Sequence, residues 1–404
     1  DDVESRGLGD VYKRQVIAEV IGKIKDAKRP VLYAGNGIRL SEGYGAFRKA
    51  VEKLGIPVVT CWDSIDAIED ENPLYVGRGG IMGDRPGNFA VQNADLVLAV
   101  GNRLSIRQVG YSWKTWAREA YVIMVDVDPA ELKKTTLHVE LPVCADAKDF
   151  FVQMNEQLAD EDVPVFAGKE WIRKCQEWKK NYPVTQPKHW EEDGKYANVY
   201  AFIKYLSQNL PQGNMTVVSN GSACVVGSHN YVIQKEARFL INSAVASMGY
   251  GLPAAIGACI ATGRKTTICL EGDGSIMMNL QELQTVLTNQ LPIKIFVINN
   301  QGYHSIRQTQ NNLFKEHCKI GIGPESGDLS FPDFSKLSEA FGYTYLEAHS
   351  NAQMKKMVDQ ALKIDGAVFC EIFVSAEQNF EPKSATKRLE DGTCLLYTSP
   401  SPRD

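Results

Sequence analysis

Glu271-Gly272-Asp273-Gly274-Ser275 closes a run of small and β-branched residues, and 27 positions after Asp273 the pair Asn299-Asn300 ends at a second polar group. A hard divalent cation such as Mg²⁺ takes oxygen ligands and is commonly shared between a carboxylate or two and phosphate oxygens. Asp273 offers the carboxylate and Asn300 a neutral amide oxygen, while the glycines beside Asp273 let the backbone come close to an anion. Residues 266–270 and 293–298 read as buried strands, and residues 276–288 as a helix whose N-terminus faces the phosphates. Strand, glycine turn, helix, strand puts Asp273 and Asn300 at the carboxyl ends of neighbouring parallel strands, where open α/β sheets bind ligands. The expectation is a site for a metal-bound diphosphate.

Upstream, strands and helices alternate in the manner of a second parallel sheet. Residues 31–34 form a buried strand, Gly35-Asn36-Gly37 a turn, and Phe47, Val51 and Leu54 a helix stripe at i, i+4 and i+7. Further strands are expected at 58–60, 96–100 and 122–126. Pro164, Pro183 and Pro187 surround a short charged helix at 170–180, which marks residues 161–195 as a linker. Beyond it, an amphipathic helix at 199–206 opens a second domain, and a strand at 216–219 runs into Asn220-Gly221-Ser222-Ala223. The fold class is α/β, with two doubly wound parallel-sheet domains: a central Rossmann-like domain at 16–160 and a diphosphate- and metal-binding domain at 196–377. Residues 378–393 are polar and are expected to wrap an exposed face or to be loose.

Both ends of the chain look foreign. Residues 394–404 can be encoded by a DNA stretch whose reverse complement, in another frame, encodes residues 5–15, the relation expected of an adapter read at both ends of an insert. Residues 1–15 and 394–404 are therefore set aside as non-native tails.

Composition narrows the function classes. At 404 residues, 44% hydrophobic and 23% charged, the chain is long enough for two domains with proper cores. A net charge of −5 without a basic block argues against nucleic acid as a partner. No run approaches the roughly 20 apolar residues of a membrane span. Eight of the nine cysteines (Cys61, Cys144, Cys175, Cys224, Cys259, Cys269, Cys318 and Cys370) lie outside the tails, show no metal-ligand spacing and read as reduced thiols, which points to a cytoplasmic location.

The GDG motif, followed about 25 to 30 residues later by paired asparagines, resembles the signature of the thiamine-diphosphate enzymes. Ser247-Met248-Gly249-Tyr250-Gly251-Leu252-Pro253-Ala254-Ala255-Ile256-Gly257 and Gln281-Glu282-Leu283 resemble the flanks of that motif in the acetolactate synthase branch. The resemblance implies a thiamine-diphosphate- and Mg²⁺-dependent decarboxylation of a small 2-oxo acid, with joining of the fragment to an acceptor carbonyl. Asp273, Asn300 and the carbonyl of Gly302 would hold Mg²⁺. Gly272, Gly274, Ser275 and Tyr303, with Gly221, Ser222 and Ala223, would line the cofactor, and Met248 would prop its two rings into a bent shape. His304 could face substrate as a general acid.

In the first domain, Gly80-Ile81-Met82-Gly83, Gly101-Asn102-Arg103-Leu104 and the run starting at Asp126 resemble loops that hold FAD in some members, which makes Gly35, Gly37, Gly80, Gly83, Gly101, Arg103 and Asp126 candidate flavin contacts. The family also implies a homodimer or tetramer, and a preceding pyrimidine-binding domain that carries the initiating glutamate and acts across subunits. No residue of this sequence matches that glutamate, so the chain alone is expected to be inactive. Departures are visible. The family's AGGG reads Ala34-Gly35-Asn36-Gly37, its FDDR reads Leu104-Ser105-Ile106-Arg107, its GVGQH loop has Cys224 and Val225 at the Gln and His positions, and Thr309 stands where acetolactate synthases carry a Trp. They leave room for a 2-oxo acid decarboxylase or C–C lyase of the same superfamily, or for a nucleotide-binding module without chemistry.

Overall fold

The computed structural model describes residues 2–160, 162–314 and 319–382, with backbone alone for 2–13, 313, 386–388 and 394–396. Cys318 and most of the polar stretch after residue 382 lie outside the described residues. The chain divides into two compact units, one of residues 1–183 with 382–404 and one of residues 184–381.

The first unit is built on a six-stranded parallel sheet of β1 (Pro30–Ala34), β2 (Val58–Thr60), β3 (Tyr75–Arg78), β4 (Leu96–Val100), β5 (Tyr121–Asp126) and β6 (Leu141–Cys144), in the order β3-β2-β1-β4-β5-β6. β1 and β4 are buried along their whole length, as strands covered by helices on both faces must be. Phe47, Val51 and Leu54 line the buried face of helix Tyr44–Leu54, as their spacing requires. Neither β3 nor β6 is legible from the sequence. β3 carries Gly77 and Arg78 inside the strand, and β6 carries Pro142 at the sheet edge, where a missing amide donor is tolerated.

The segment read as a linker contains helix Lys169–Asn181, and its Trp171 and Cys175 pack into the core of this first unit. Trp171 Nε1 also donates to the carbonyl of Pro30 at 3.0 Å. Charge on the exposed face concealed an apolar stripe with helical spacing. Helix Asp2–Asp26 runs through part of the stretch set aside as a tail, and its residues Ile17, Val20, Ile21 and Ile24 join the same core.

The second unit repeats the architecture with β7 (Met215–Val218), β8 (Arg238–Ile241), β9 (Thr267–Gly272), β10 (Ile293–Asn299), β11 (Thr344–Ala348) and β12 (Val368–Phe373). All are parallel, in the order β11-β12-β10-β9-β7-β8. β7 connects to β8 on one side and lies against β9 on the other, so the strand order reverses between β7 and β9 and leaves a crevice at their carboxyl ends. Helices with side-chain caps fill the layers: Asn198 accepts from Tyr200 and Ala201 amides, Asp333 from Ser335 and Lys336, and Ser350 from Gln353.

The single helix expected at 276–288 is three pieces: Asp273–Ile276, a 3₁₀ turn at Met277–Asn279, and Glu282–Thr288. The break coincides with Asn279, whose Nδ2 leaves the helix to donate to the Gly249 carbonyl at 2.7 Å. A four-residue helix that begins at Asp273 itself carries little dipole to direct at a phosphate. The backbone amides around Asp273 matter more than a helix end.

Candidate functional site

Strand register assembles the site. Val218 pairs with Leu270 and Ile298 with Gly272, so β7, β9 and β10 end side by side and deliver Ser219, Asp273 and Asn300 to one crevice. Asp273 is 1% exposed. Its Oδ1 accepts from the Gly274 amide at 2.7 Å and its Oδ2 from the Gly302 amide at 2.9 Å. Burial pushes its carboxyl up to about 7, against the pull of those two amides and of the Arg307 charge.

Asn300 is buried beside it, and its Nδ2 donates to Ser222 Oγ at 2.9 Å. That bond orients the carboxamide and leaves Oδ1 buried with no hydrogen-bond donor among the described residues. A buried acceptor without a donor costs about 1–3 kcal/mol. A cation at Oδ1 would offset that cost, and a carboxylate beside a neutral amide oxygen is the donor set a hard cation takes. No group of three His, Cys, Asp or Glu side chains that could hold a metal ion forms among the described residues, so a cation here would complete its shell from backbone carbonyl, phosphate and water. The residues fit Mg²⁺ with a diphosphate.

The other expected residues fall into place unevenly. Gly302 sits at φ 139°; its amide faces Asp273 and its carbonyl accepts from the His304 amide at 3.0 Å. A Cβ on Gly274 would lie 2.3 Å from the Tyr303 ring, so that glycine makes room for Tyr303. Ser275 Oγ is 2.5 Å from Ser219 Oγ and accepts from the Gly249 amide at 2.9 Å, which ties three loops together. Gly221 and Gly272 face open space, and Ser222 opens helix Ser222–Asn230 next to Gly221. Ala223 is fully buried in that helix. Met248 is 38% exposed on the turn preceding Gly249, an uncovered apolar side chain at the rim.

His304 is turned inward. It is 5% exposed, its Nε2 lies 2.8 Å from the Gln378 carbonyl, and its ring meets Phe380 edge-on. The stretch expected to wrap an exposed face or to be loose packs back on the unit at Gln378 and Phe380, and the Glu381 amide donates to Tyr200 Oη at 2.5 Å.

Two site residues escaped the sequence reading. Glu271, fully buried at the end of β9, accepts from the Leu252 amide at 2.8 Å, and a Cβ on Gly251 would lie 2.3 Å from the same carboxylate oxygen. A lone acid closing the apolar run 267–270 was the available signal. Arg307, 3% exposed, donates to the carbonyls of Asn300 at 3.1 Å and Gln301 at 2.8 Å and pairs with Glu325. Only the folded loop shows what it holds.

Residues 17–154 match the thiamine pyrophosphate enzyme central domain, and residues 219–372 the C-terminal TPP binding domain of the same enzymes. The chain belongs to the thiamine pyrophosphate enzymes. It is similar to the acetolactate synthase large subunit of Cyanidium caldarium, at 30% identity over 89% of this chain and 60% of that protein. It is also similar to the acetolactate synthase isozyme 2 large subunit of Escherichia coli (strain K12), at 31% over 88% and 62%. A probable chloroplastic acetolactate synthase 2 of Oryza sativa subsp. japonica matches at 31% over 91% and 55%. The chain spans about three fifths of the length of the curated relatives it matches.

In the TPP-enzyme central domain, the candidate flavin residues make contacts within the unit. A Cβ on Gly35 would lie 2.1 Å from the Gly101 carbonyl oxygen, and one on Gly37 would lie 2.7 Å from Gly101 Cα, so these turns close on each other. A Cβ on Gly80 would strike the Arg107 carbonyl, and one on Gly83 the Arg78 carbonyl, each at 2.2 Å. Arg103 is paired with Glu131 at 2.7 Å, and Asp126 Oδ1 accepts from the Asp128 amide at 3.0 Å. These close approaches explain why glycine stands at 35, 37, 80 and 83.

The TPP-domain carboxyls make a pH prediction. Burial pushes both Glu271 and Asp273 up to about 7, above their unfolded values of roughly 4. Between those values the folded chain binds more protons than the unfolded one, so this contribution to stability is present at the acid end and is lost as pH rises through about 7. Without metal or cofactor, the melting temperature of the second unit is expected to fall between pH 5.5 and 8.5, and Glu271→Gln to flatten that slope. A melting temperature that climbs over this range, as measured by calorimetry in chelator, would contradict the assignment.

Proposed function

We propose that the second unit binds thiamine diphosphate through Mg²⁺ held by Asp273, Asn300 and the Gly302 carbonyl, with Gly221, Ser222, Ala223, Gly272, Gly274, Ser275 and Tyr303 around the cofactor and Met248 beneath it. The parent protein would decarboxylate a small 2-oxo acid and join the fragment to an acceptor carbonyl, as the names of its relatives suggest for those proteins. The observation that carries the reading is the orphaned Asn300 Oδ1 next to the buried Asp273 carboxylate at the ends of adjacent strands.

When bound, thiamine diphosphate supplies an electron sink for decarboxylation. The chain's own residues do the holding. Asp273 neutralises cation charge and is fixed by two backbone amides; Ser222 orients Asn300; Ser275 pins the Gly249 turn beside Met248. His304, turned to Gln378, is assigned a positioning contact with the segment at 378–380 in place of acid catalysis. Flavin at the loops of Gly35, Gly37, Gly80, Gly83, Gly101, Arg103 and Asp126 belongs to the proposal as a candidate second cofactor, with the exposed Arg103 available to a phosphate. Thr309, exposed on helix His304–Leu313 in place of the family's Trp, leaves the acceptor side without a bulky wall. An oligomer that brings in a pyrimidine-binding domain belongs to the same proposal.

Calorimetric titration with thiamine diphosphate, with and without Mg²⁺, tests it. Metal-dependent binding with one site per chain is expected. A folded chain that binds neither alone nor in a protein extended by the pyrimidine domain would sink the reading.

A further inference from the structure

The loop that carries Asn300 is strained. Gln301 takes φ 59° and Gly302 φ 139°, two successive positive values, the first on a residue with a side chain. Such a conformation persists only where surrounding contacts over-determine it. The Asn299 Oδ1 bond to the Gln301 amide, 2.9 Å, supplies one of those contacts. Arg307 supplies more.

Its guanidinium, buried on helix His304–Leu313, reaches back over the loop. Nη1 donates to the Asn300 carbonyl at 3.1 Å, Nη2 to the Gln301 carbonyl at 2.8 Å and to the Ile322 carbonyl at 3.4 Å, and Nε to Glu325. The planar fork thereby fastens the Asn300 loop to the 322–325 loop, which already meets it where the Tyr303 amide donates to the Ile322 carbonyl at 2.9 Å. Among the described residues, the Asn300 side chain has one anchor of its own, the bond to Ser222.

We propose that Arg307 is a positioning residue that holds the Asn300 backbone so that the carboxamide Oδ1 faces the cation, an inference that rests on the metal–diphosphate reading above. Arg307 bonds to backbone carbonyls and Glu325 and not to the Asp273 or Asn300 side chain, so it would act through the Asn300 backbone. Lysine is a poor replacement, because a single ammonium cannot span three carbonyls and a carboxylate at fixed angles.

The test compares Mg²⁺-dependent thiamine diphosphate affinity, by calorimetry, in the wild type, Arg307→Ala and Arg307→Lys. Support shells around metal ligands are worth roughly 10–100-fold in affinity, and a loss of that order is expected in both variants. Millimolar guanidinium should restore binding to Arg307→Ala by refilling the buried fork, whereas methylammonium should not. Amide exchange at Gln301 and Tyr303, read without cofactor, should rise in the variant and fall again with guanidinium. Should Arg307→Ala not fold, Glu325→Gln removes the carboxylate charge beside Nε and is expected to weaken affinity in the same direction by a smaller factor. Equal affinity in variant and wild type, or a loss that guanidinium leaves untouched, would overturn the proposal while the cofactor reading stood. A wild type that fails to bind overturns the cofactor reading and the inference with it.

Discussion

Replacing Asp273 by asparagine is expected to abolish Mg²⁺-dependent binding of thiamine diphosphate while leaving the second unit folded. The substitution keeps the side-chain shape and removes the negative charge, and the charge is what a cation shared with a diphosphate requires. Losing partners of a metal's ligands costs roughly 10–100-fold in affinity, so loss of the charged ligand itself is expected to exceed about 100-fold. Stability should move the other way in the metal-free protein at alkaline pH, because burial disfavours the ionised carboxyl that asparagine eliminates. Part of that gain is offset, since both carboxylate oxygens now accept backbone amides and an asparagine can present only one oxygen to Gly274 and Gly302. Asp273→Ala removes both acceptors and is expected to lower the melting temperature as well. Titration and thermal denaturation on the same samples separate the two effects; unchanged metal dependence in the asparagine variant would remove Asp273 from the site.

Gly302→Ala is expected to be the most damaging single-methyl change in the second unit. At φ 139° an alanine is strained whatever its surroundings, and its Cβ would sit 1.8 Å from the Ile322 carbonyl oxygen, a backbone atom that cannot rotate away. Backbone strain of this kind costs about 1–3 kcal/mol before the clash is counted. The loop must shift, and with it the amide that holds Asp273 Oδ2. A drop in melting temperature of roughly 6–12 °C is expected if the total reaches about 3 kcal/mol, with loss of metal-dependent binding. Gly272→Ala is the control. Its φ of −104° is ordinary and its added Cβ meets nothing, so it should leave stability nearly unchanged. Equal melting temperatures for the two variants would refute the geometric argument.

The fold was legible wherever local pattern and burial coincided. β1, β2, β4, β5, β9 and β10 are short apolar runs buried on both faces, and helix Tyr44–Leu54 shows its stripe at helical spacing. β6, at a sheet edge and only half buried, carries a proline, and β11 is similarly mixed; neither had a pattern to read. Helix Lys169–Asn181 was misread as part of a linker because its exposed charges outnumber Trp171 and Cys175, yet those two reach the core.

For the candidate site, residue type and spacing pointed to Asp273 and Asn300 as oxygen donors, and the resemblance of the flanking segments strengthened that expectation. The strand and helix pattern of the sequence thus determined the fold class, and the resemblance of its motifs pointed to the family and to the chemistry expected at the site. Tertiary structure alone decided that Glu271 braces the Gly251 turn, that His304 faces Gln378, and that Arg307 fastens the Asn300 loop. The physical reason is one of range. Hydrophobic period and motif spacing record what a residue does with its near neighbours in the chain. A buried guanidinium or carboxylate draws its role from carbonyls and amides that only the packed sheet brings within 3 Å.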